Sequence, residues 1–393
     1  MRVPLHYHLR NAITRWRSTV ATVAGIGLVV FVYVAMQSMA AGIAKVGANT
    51  GDPSNLLVTR RGATSESTSQ ITLEQFRILR HAPEIARDPG GEPLISADLA
   101  LVINIPRITG EGNANAVVRG VSPRGRELRP QVALVAGRWF EPGRREVIAS
   151  QRMARRFADL GIGQSFQAGG QRLTVTGHFE GARSAFDSEI WMDADEARAL
   201  FDRSNYSSLL LRPADAAAAA AFADRLDRDK RLKLRAIPET EYYSKQTGSA
   251  ETFKKLGAFL AAIMSVGATF AAMNTLYAAV AARTREVGTL RVLGFRRRAI
   301  LTGFMIEGIL LAVAGGILGC AAAGLVGTAL AGAGFSFGTF SPETFSESVF
   351  ELRVTTPLVL QGLLFSALVG AAGSLLPALR ASRLPVIAAL RSL

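Results

Sequence analysis

Asp187 and Glu189 flank Ser188, and two carboxylates so placed could share general acid and base work. Alternating residues at one strand end explain them more simply. Arg124, Arg126 and Arg129 lie close enough in sequence to receive a phosphate or a lipid headgroup, although a solvated basic face is the plainer reading. His81 and His178 stand alone, with no second histidine at metal-ligand spacing, and read as isolated surface or strand histidines. The single cysteine, Cys320, excludes a disulfide framework and any multi-cysteine zinc or iron–sulfur site. Within 42–255 there is no Gly-x-Ser-x-Gly elbow and no glycine-rich loop running into Lys and Ser or Thr. The expectation is a protein with no catalytic residue, no metal site and no cofactor-binding site of its own.

The elements that must carry any function are set by hydropathy. The 393 residues are 49% hydrophobic but only 7% aromatic and 19% charged. A hydrocarbon core of about 30 Å takes about 20 apolar residues of helix to cross. Four segments qualify: 20–41, 256–282, 299–333, which carries only Glu307, and 357–379. Backbone amides inside lipid must be satisfied within the segment, so each is expected to be a transmembrane helix. A secretory signal is the rival reading of the first, with Arg2, Arg10, Arg15 and Arg17 ahead and Ser38-Met39-Ala40 as a cleavage site. Its apolar run is too long for a usual signal core, and an uncleaved anchor suits three later spans.

Charge position gives orientation. The net charge of +14 would suggest nucleic acid in a soluble protein, but thirteen arginines against the one acid Glu286 lie in 1–19, 283–298 and 380–393. The basic balance is therefore a topology signal. It places both termini in the cytoplasm, with 42–255 and the short loop 334–356 outside. Leu5, Leu9, Ala12 or Ile13, and Trp16 form one helical stripe in 1–19, as expected of an amphipathic helix lying in the headgroup layer.

The external segment 42–255 reads as an α+β domain. Strands are expected at 55–59, 99–105, 116–121, 146–149, 172–178, 207–211 and 232–237. Helices are expected at 72–79 behind a Thr72-x-x-Gln75 capping box, at 194–201 behind Asp193, and at 214–226 behind Pro213. Between the second and third spans, Val287, Leu290 and Leu293 recur at helical spacing and Gly294 sits where a helix would stop. A short helix there could offer its outer face to a cytoplasmic protein or be a passive loop.

These residues carry a resemblance. Arg285-Glu-Val-Gly-Thr-Leu-Arg-Val-Leu-Gly294, followed by Ile300, Glu307-Gly308 and Gly315-Gly316-x-x-Gly319, resembles the signature of FtsX/MacB-type ABC-transporter permeases. The stretch Leu376-Pro-Ala-Leu-Arg-Ala-Ser-Arg383 through Ala389-Leu-Arg391 is similar to that family's C-terminal end, and the span order agrees along the chain. The external domain matches through Arg119-Gly120-Val121, Gly137-Arg138-Trp139-Phe140 and Val175-Thr176-Gly177. The resemblance implies a non-enzymatic permease subunit working as a homo- or heterodimer with a separate cytoplasmic ATPase that binds the ATP, and plausibly with a periplasmic adaptor. It assigns ATPase coupling to Arg283, Arg285, Glu286, Gly288, Leu290, Arg291, Leu293 and Gly294. Export or extraction of a hydrophobic or periplasmic substrate is the leading function. A scaffold activating an extracytoplasmic hydrolase, as in the cell-division branch, is the alternative.

Three residues inside the third span stand apart. An intramembrane carboxylate such as Glu307 marks function by default because its burial is costly, and pairing with a nearby arginine is the plainer reading. Gly315 and Gly319, spaced small-x-x-x-small, are expected to let another helix approach closely.

Overall fold

The computed structural model describes residues 16–108, 110, 112–332, 337–340, 347–350 and 354–384. All but the last four residues of the amphipathic segment 1–19, and 385–393 of the tail 380–393, lie outside these. The chain divides into two compact units, one formed by residues up to 41, 250–335 and 351 onward, the other by 42–249 and 336–350.

Helix α1 (Trp16–Thr50) is uncharged from Thr19 to Ala44. It continues nine residues beyond the span expected from hydropathy and stops where Gly51-Asp52-Pro53 follows, since proline disfavours helix at the residue before it. Within the second unit Thr50 is tied down: its hydroxyl accepts from the Ala185 amide at 2.8 Å and its carbonyl accepts from Gln131 Nε2 at 2.8 Å.

The second unit is built on a ten-stranded sheet. In chain order its elements are β1 (Leu56–Arg60), α2 (Leu73–Arg80), β2 (Ile95–Pro106), β3 (Asn113–Val121), β4 (Ala133–Gly137), β5 (Glu146–Ser150), α3 (Gln151–Ala154), β6 (Ser165–Ala168), β7 (Gln171–Glu180), β8 (Glu189–Asp193), α4 (Ala194–Leu200), β9 (Ser208–Leu211), α5 (Ala216–Arg228), β10 (Leu234–Pro238) and α6 (Glu239–Gln246). The strand order is β10-β1-β9-β2-β3-β8-β5-β7-β4, with β6 beside β7, and the β3–β8 and β5–β7 pairs are parallel. The seven expected strands are present within a few residues. β4, β6 and β8 were not expected.

Side-chain alternation explains how this sheet is buried on both faces. Leu57, Ile148, Trp191 and Leu210 enter one apolar cluster with Phe179, Phe186, Tyr242 and Tyr243. Their neighbours point the other way: Leu56, Val58, Leu209 and Leu211 pack beneath α2 and α5, while Val147, Ala149, Ile190 and Met192 pack around Phe157. At about 1.5–3 kcal/mol per fully buried aliphatic or aromatic side chain, these clusters dominate the domain's stability. Thr72 and Gln75 form the expected capping box on α2, with Gln75 N donating to Thr72 Oγ1 and Thr72 N to Gln75 Oε1. Helix α5 begins two residues later than expected, because the Asp215 carboxylate caps it through Ala218 N at 2.7 Å in place of a Pro213 start.

Helices α7 (Ser249–Ala282), α8 (Thr284–Val292), α9 (Arg297–Gly332) and α10 (Thr356–Ser382) are the remaining described helices, with a two-stranded hairpin of β11 (Phe337–Phe340) and β12 (Glu347–Phe350) in the second unit. Among the described residues four helices, α1, α7, α9 and α10, are long and apolar enough to cross a membrane. Their packing uses small residues. A Cβ on Gly315 would meet Val23 O at 2.7 Å, and one on Gly27 would meet Gly315 O at 3.1 Å, so α1 and α9 touch backbone to backbone. Ile26, Val30 and Val34 of α1 fill the bundle core with Ala268 and Ala272 of α7, Ala312 and Ala323 of α9 and Val369 of α10.

Candidate functional site

At the arginine-rich end of the bundle, the segment Thr284–Val292 forms a helix and not a passive loop. One face is held: Val287 is buried in a cluster with Val280 of α7, Ile300 and Phe304 of α9, and Ala378 and Ala381 of α10. Gly288 is buried beside it. The opposite face, Arg285, Glu286, Thr289, Val292 and Leu293, is exposed, with Leu293 at 68%. Leu290 and Arg291 are half-buried at the rim. Leu293 therefore does not share the inner face with Val287, as its spacing suggested, because the helix ends at Val292. The end is a two-bond glycine cap: Phe295 N donates to Leu290 O at 3.1 Å and Gly294 N to Arg291 O at 3.2 Å. Gly294 takes φ +89°, a left-handed conformation that favours glycine.

The other end of α8 is fixed by charge. Arg283 donates from both terminal nitrogens to the Glu307 carboxylate, at 2.9 and 3.1 Å, and both side chains are nearly buried. Planar two-bond pairing of this kind fixes angle as well as distance. Arg283, grouped by its motif with the ATPase contacts, thus points inward and joins the start of α8 to α9. Gly315 and Gly319 lie further along α9 against α1, away from this end. The exposed Arg296, Arg297 and Arg298 follow α8 directly.

The second unit holds a different constellation. Arg119 is buried and donates to both Glu66 (2.9 and 3.0 Å) and Glu189 (2.8 and 2.9 Å). Glu189 also accepts from Trp191 Nε1 at 2.7 Å, and Glu66 from Ser208 Oγ at 2.5 Å. Arg129 is buried too, 2.5 Å from Asp98 and over the Phe186 ring, so it is no part of a solvated basic face. Of its neighbours, Arg124 pairs with Asp88 and Glu127, and Arg126 lies 4.4 Å over the Trp139 ring. Burial raises the Glu66 pKa, but the charge and hydrogen bonds of Arg119, with Ser208 and Arg129, outweigh it and hold the carboxyl below its ordinary value. Burial keeps Glu239 above its ordinary value despite Arg129. Asp187 sits in a buried turn before β8, accepting from Gly181 N at 2.6 Å, so Asp187 and Glu189 are not alternate residues of one strand end. His81 caps α2, and His178 Nε2 bonds Leu160 O at 2.8 Å. The cluster is a locking network in an aromatic core, in which Arg119 is shared by Glu66 and Glu189.

The external motifs now have physical reasons. Gly137, at φ +75°, pairs with Gly177 across β4 and β7, and a Cβ on Gly137 would meet Gly177 Cα at 2.8 Å. Gly120 lies against α4, where a Cβ would meet Ala194 Cα and Ala197 Cβ at 2.9 Å.

Comparison with known proteins agrees with this architecture. Residues 19–229 match the MacB-like periplasmic core domain, and residues 258–386 match the FtsX-like permease C-terminal domain. The chain belongs to the FtsX/MacB-type ABC transporter permease family. Among relatives of this permease, MacB of Rhodopseudomonas palustris, a macrolide export ATP-binding/permease protein, is 26% identical over 94% of this chain and 56% of its own. MacB of Bdellovibrio bacteriovorus is 35% identical over 36% of this chain and 20% of its own. The ABC transporter permease YknZ of Bacillus subtilis is 27% identical over 64% of this chain and 63% of its own. The permease thus spans less than two thirds of each of these relatives. A crystal structure of the extracellular domain of a YknZ transporter from Gram-positive bacteria aligns at 17% identity and a TM-score of 0.34, over 47% of this chain and 99% of that one. The family assignment rests on the two domain matches.

Proposed function

We propose that this chain is the permease subunit of an ABC export system in the bacterial inner membrane, with both termini cytoplasmic. A separate cytoplasmic ATPase binds the exposed face of α8, and the spans carry its movement to the external domain. The observation that supports this most is the two-sided construction of α8. Its outer face offers Arg285, Glu286, Thr289, Val292 and Leu293, while Val287 and the Arg283–Glu307 pair fasten its inner side to three spans. A helix held in this way passes on a push; a loose loop would absorb it. Continuity of α1 from Trp16 to Thr50 supports transfer outward, because one helix holds residues of both units. The working form is a dimer of permeases, with an identical or related partner chain.

The names of the MacB relatives, which include macrolide export, support an export direction for a hydrophobic or periplasmic substrate, with a periplasmic adaptor completing the path. ATP is bound by the ATPase subunit, and this chain contributes no catalytic residue. The test is affinity purification of the tagged chain from its native host, beside an Arg285→Glu, Glu286→Arg double variant. An ABC ATPase is expected with the wild type and is expected to be lost, or its ATP turnover uncoupled, in the variant. Absence of any ATPase from the wild-type preparation contradicts the proposal.

A further inference from the structure

Strand β2 runs on past the strand beside it. On one side it pairs with β9 only over Ile95–Asp98, while on the other it pairs with β3 from Leu99 to Pro106. In an antiparallel pair, alternate residues direct their N–H and C=O groups to opposite neighbours. Arg107 N donates to Gly112 O, so Leu99, Leu101, Ile103 and Ile105 are the residues that bond β3. Ala100, Val102, Asn104 and Pro106 then face the side that β9 has left. Both ends of that side are filled. Ser207 Oγ bonds Ala100 N at 3.0 Å and Ala100 O at 3.3 Å, and at the far end Ala158 N donates to Pro106 O at 3.0 Å. Between them, the N–H and C=O of Val102 and Asn104 meet no partner among the described residues. The stretch from Ala100 to Pro106 spans about 20 Å at about 3.4 Å per residue.

Open strand edges are normally blunted by charge, proline, a bulge or shortness. The outer strands of this sheet follow that rule: β10 carries exposed Arg235 and Pro238, the register of β4 shifts between Leu134 and Ala136, and β6 has four residues. The β2 stretch Leu99–Ile105 has no charge, no proline and no break in register. Part of its open side is the floor of a cleft of about 490 Å³, with Leu99–Val102 below and Ser67, Gln70, Ser204 and Asn205 on the walls. The side-chain amides of Gln70 and Asn205 make no hydrogen bond with a described residue. These walls select the occupant. A second folded copy carries the same walls in front of its own β2, so two such edges do not reach each other. A single extended segment fits between the walls, and its backbone groups complement those of Val102 and Asn104.

We propose that the open edge of β2 at Val102 and Asn104 is a docking site for an extended, uncharged segment of another protein outside the membrane, which joins the sheet as a short added strand. Backbone hydrogen bonds supply affinity, and the half-buried Val102 and Ile103 favour small or β-branched side chains beside them. The inference takes from the proposed function only the external position of the second unit, and it needs neither the ATPase nor movement of the spans.

The test uses the full chain in detergent without the ATPase. In the chain alone, the Val102 and Asn104 amides are expected to exchange hydrogen fast and those of Leu101 and Ile103 slowly. Slow exchange at all four means that a second copy or another part of the chain covers the edge, and overturns the proposal. The probe is a capped heptapeptide of alternating threonine and valine with a terminal cysteine. It is joined by disulfide exchange to a Cys320→Ala, Ser204→Cys variant, Ser204 being exposed at the cleft wall. At limiting reductant it is expected to be captured about tenfold more than the same peptide N-methylated throughout, which keeps the side chains and loses the donors. Captured peptide is expected to slow exchange at Val102 and Asn104. Adding Val102→Pro removes one N–H at an edge position, where proline is tolerated, and is expected to bring the capture ratio near one, while Val102→Thr keeps it. Equal capture of the two peptides overturns the proposal without any change to the β2 sequence. Capture that leaves Val102 and Asn104 exchanging as before overturns it as well. ATPase binding at α8 is read in a separate preparation, so failure here leaves the permease reading standing.

Discussion

At the residue scale, the two buried guanidinium sites do different work. Arg283 closes the start of α8 onto Glu307, and Arg283→Met would leave that carboxylate buried without its main partner. Removing one member of a buried pair costs about 3–5 kcal/mol, so a fall in the thermal unfolding temperature of the purified protein in detergent is expected, with partial recovery on adding Glu307→Gln. Glu66 makes a pH-dependent contribution in the external domain. Its folded pKa is held below 4.5 by Arg119 against burial, so the stability it adds is complete above about pH 4.5 and is lost as pH falls through the lowered value. Glu239 has the opposite sign: its raised folded pKa means stability present at low pH and lost as pH rises past the ordinary carboxyl range. Fluorescence of Trp191 during denaturant titrations between pH 3 and 7 reads both, and Glu66→Gln is expected to remove the acid-side loss. None of this network was legible in the sequence, since Glu66, Arg119 and Glu189 are brought together by strand order and only Arg119 stood in a recognisable motif.

At the element scale, α8 is fixed at its two ends and along one side. Gly294→Val would force a β-branched residue into φ +89° and loosen the cap, a cost of about 1–2 kcal/mol confined to the end of the helix. Val287→Ala removes the side chain that seats α8 among Val280, Ile300 and Phe304, and is expected to keep ATPase binding while lowering stimulation of ATP turnover in proteoliposomes. Gly315→Leu would drive a side chain into the α1 backbone and is expected to abolish membrane accumulation, read by immunoblot of membrane fractions. The helix itself was legible from the spacing of Val287 and Leu290 and from Gly294. That Glu307 pairs with a nearby arginine was legible too, but not that the arginine is Arg283, because sequence shows that a basic residue is near a membrane surface and not which side chain it meets.

For the whole molecule, the spans were legible because long uncharged runs leave no other stable structure in lipid, and each coincides with a helix of the expected order, the third as far as Gly332. The external sheet was harder. β4 (Ala133–Gly137) is mostly exposed and short, β6 has four residues, and β8 pairs in parallel with the distant β3, so local patterning could not announce them. The substrate leaves still less trace, since the polar groups of the external domain's aromatic core serve packing. The proposed function runs a path of movement from α8 through the spans, and the contact at its beginning can be tested directly. A photo-crosslinking amino acid at Leu293, the most exposed large hydrophobic residue of that face, is expected to join this chain to an ABC ATPase in native membranes, while the same probe at Leu364 is expected to capture none. No ATPase adduct at Leu293, or equal capture at both positions, would contradict the assignment of α8 as the site where ATP-driven movement enters.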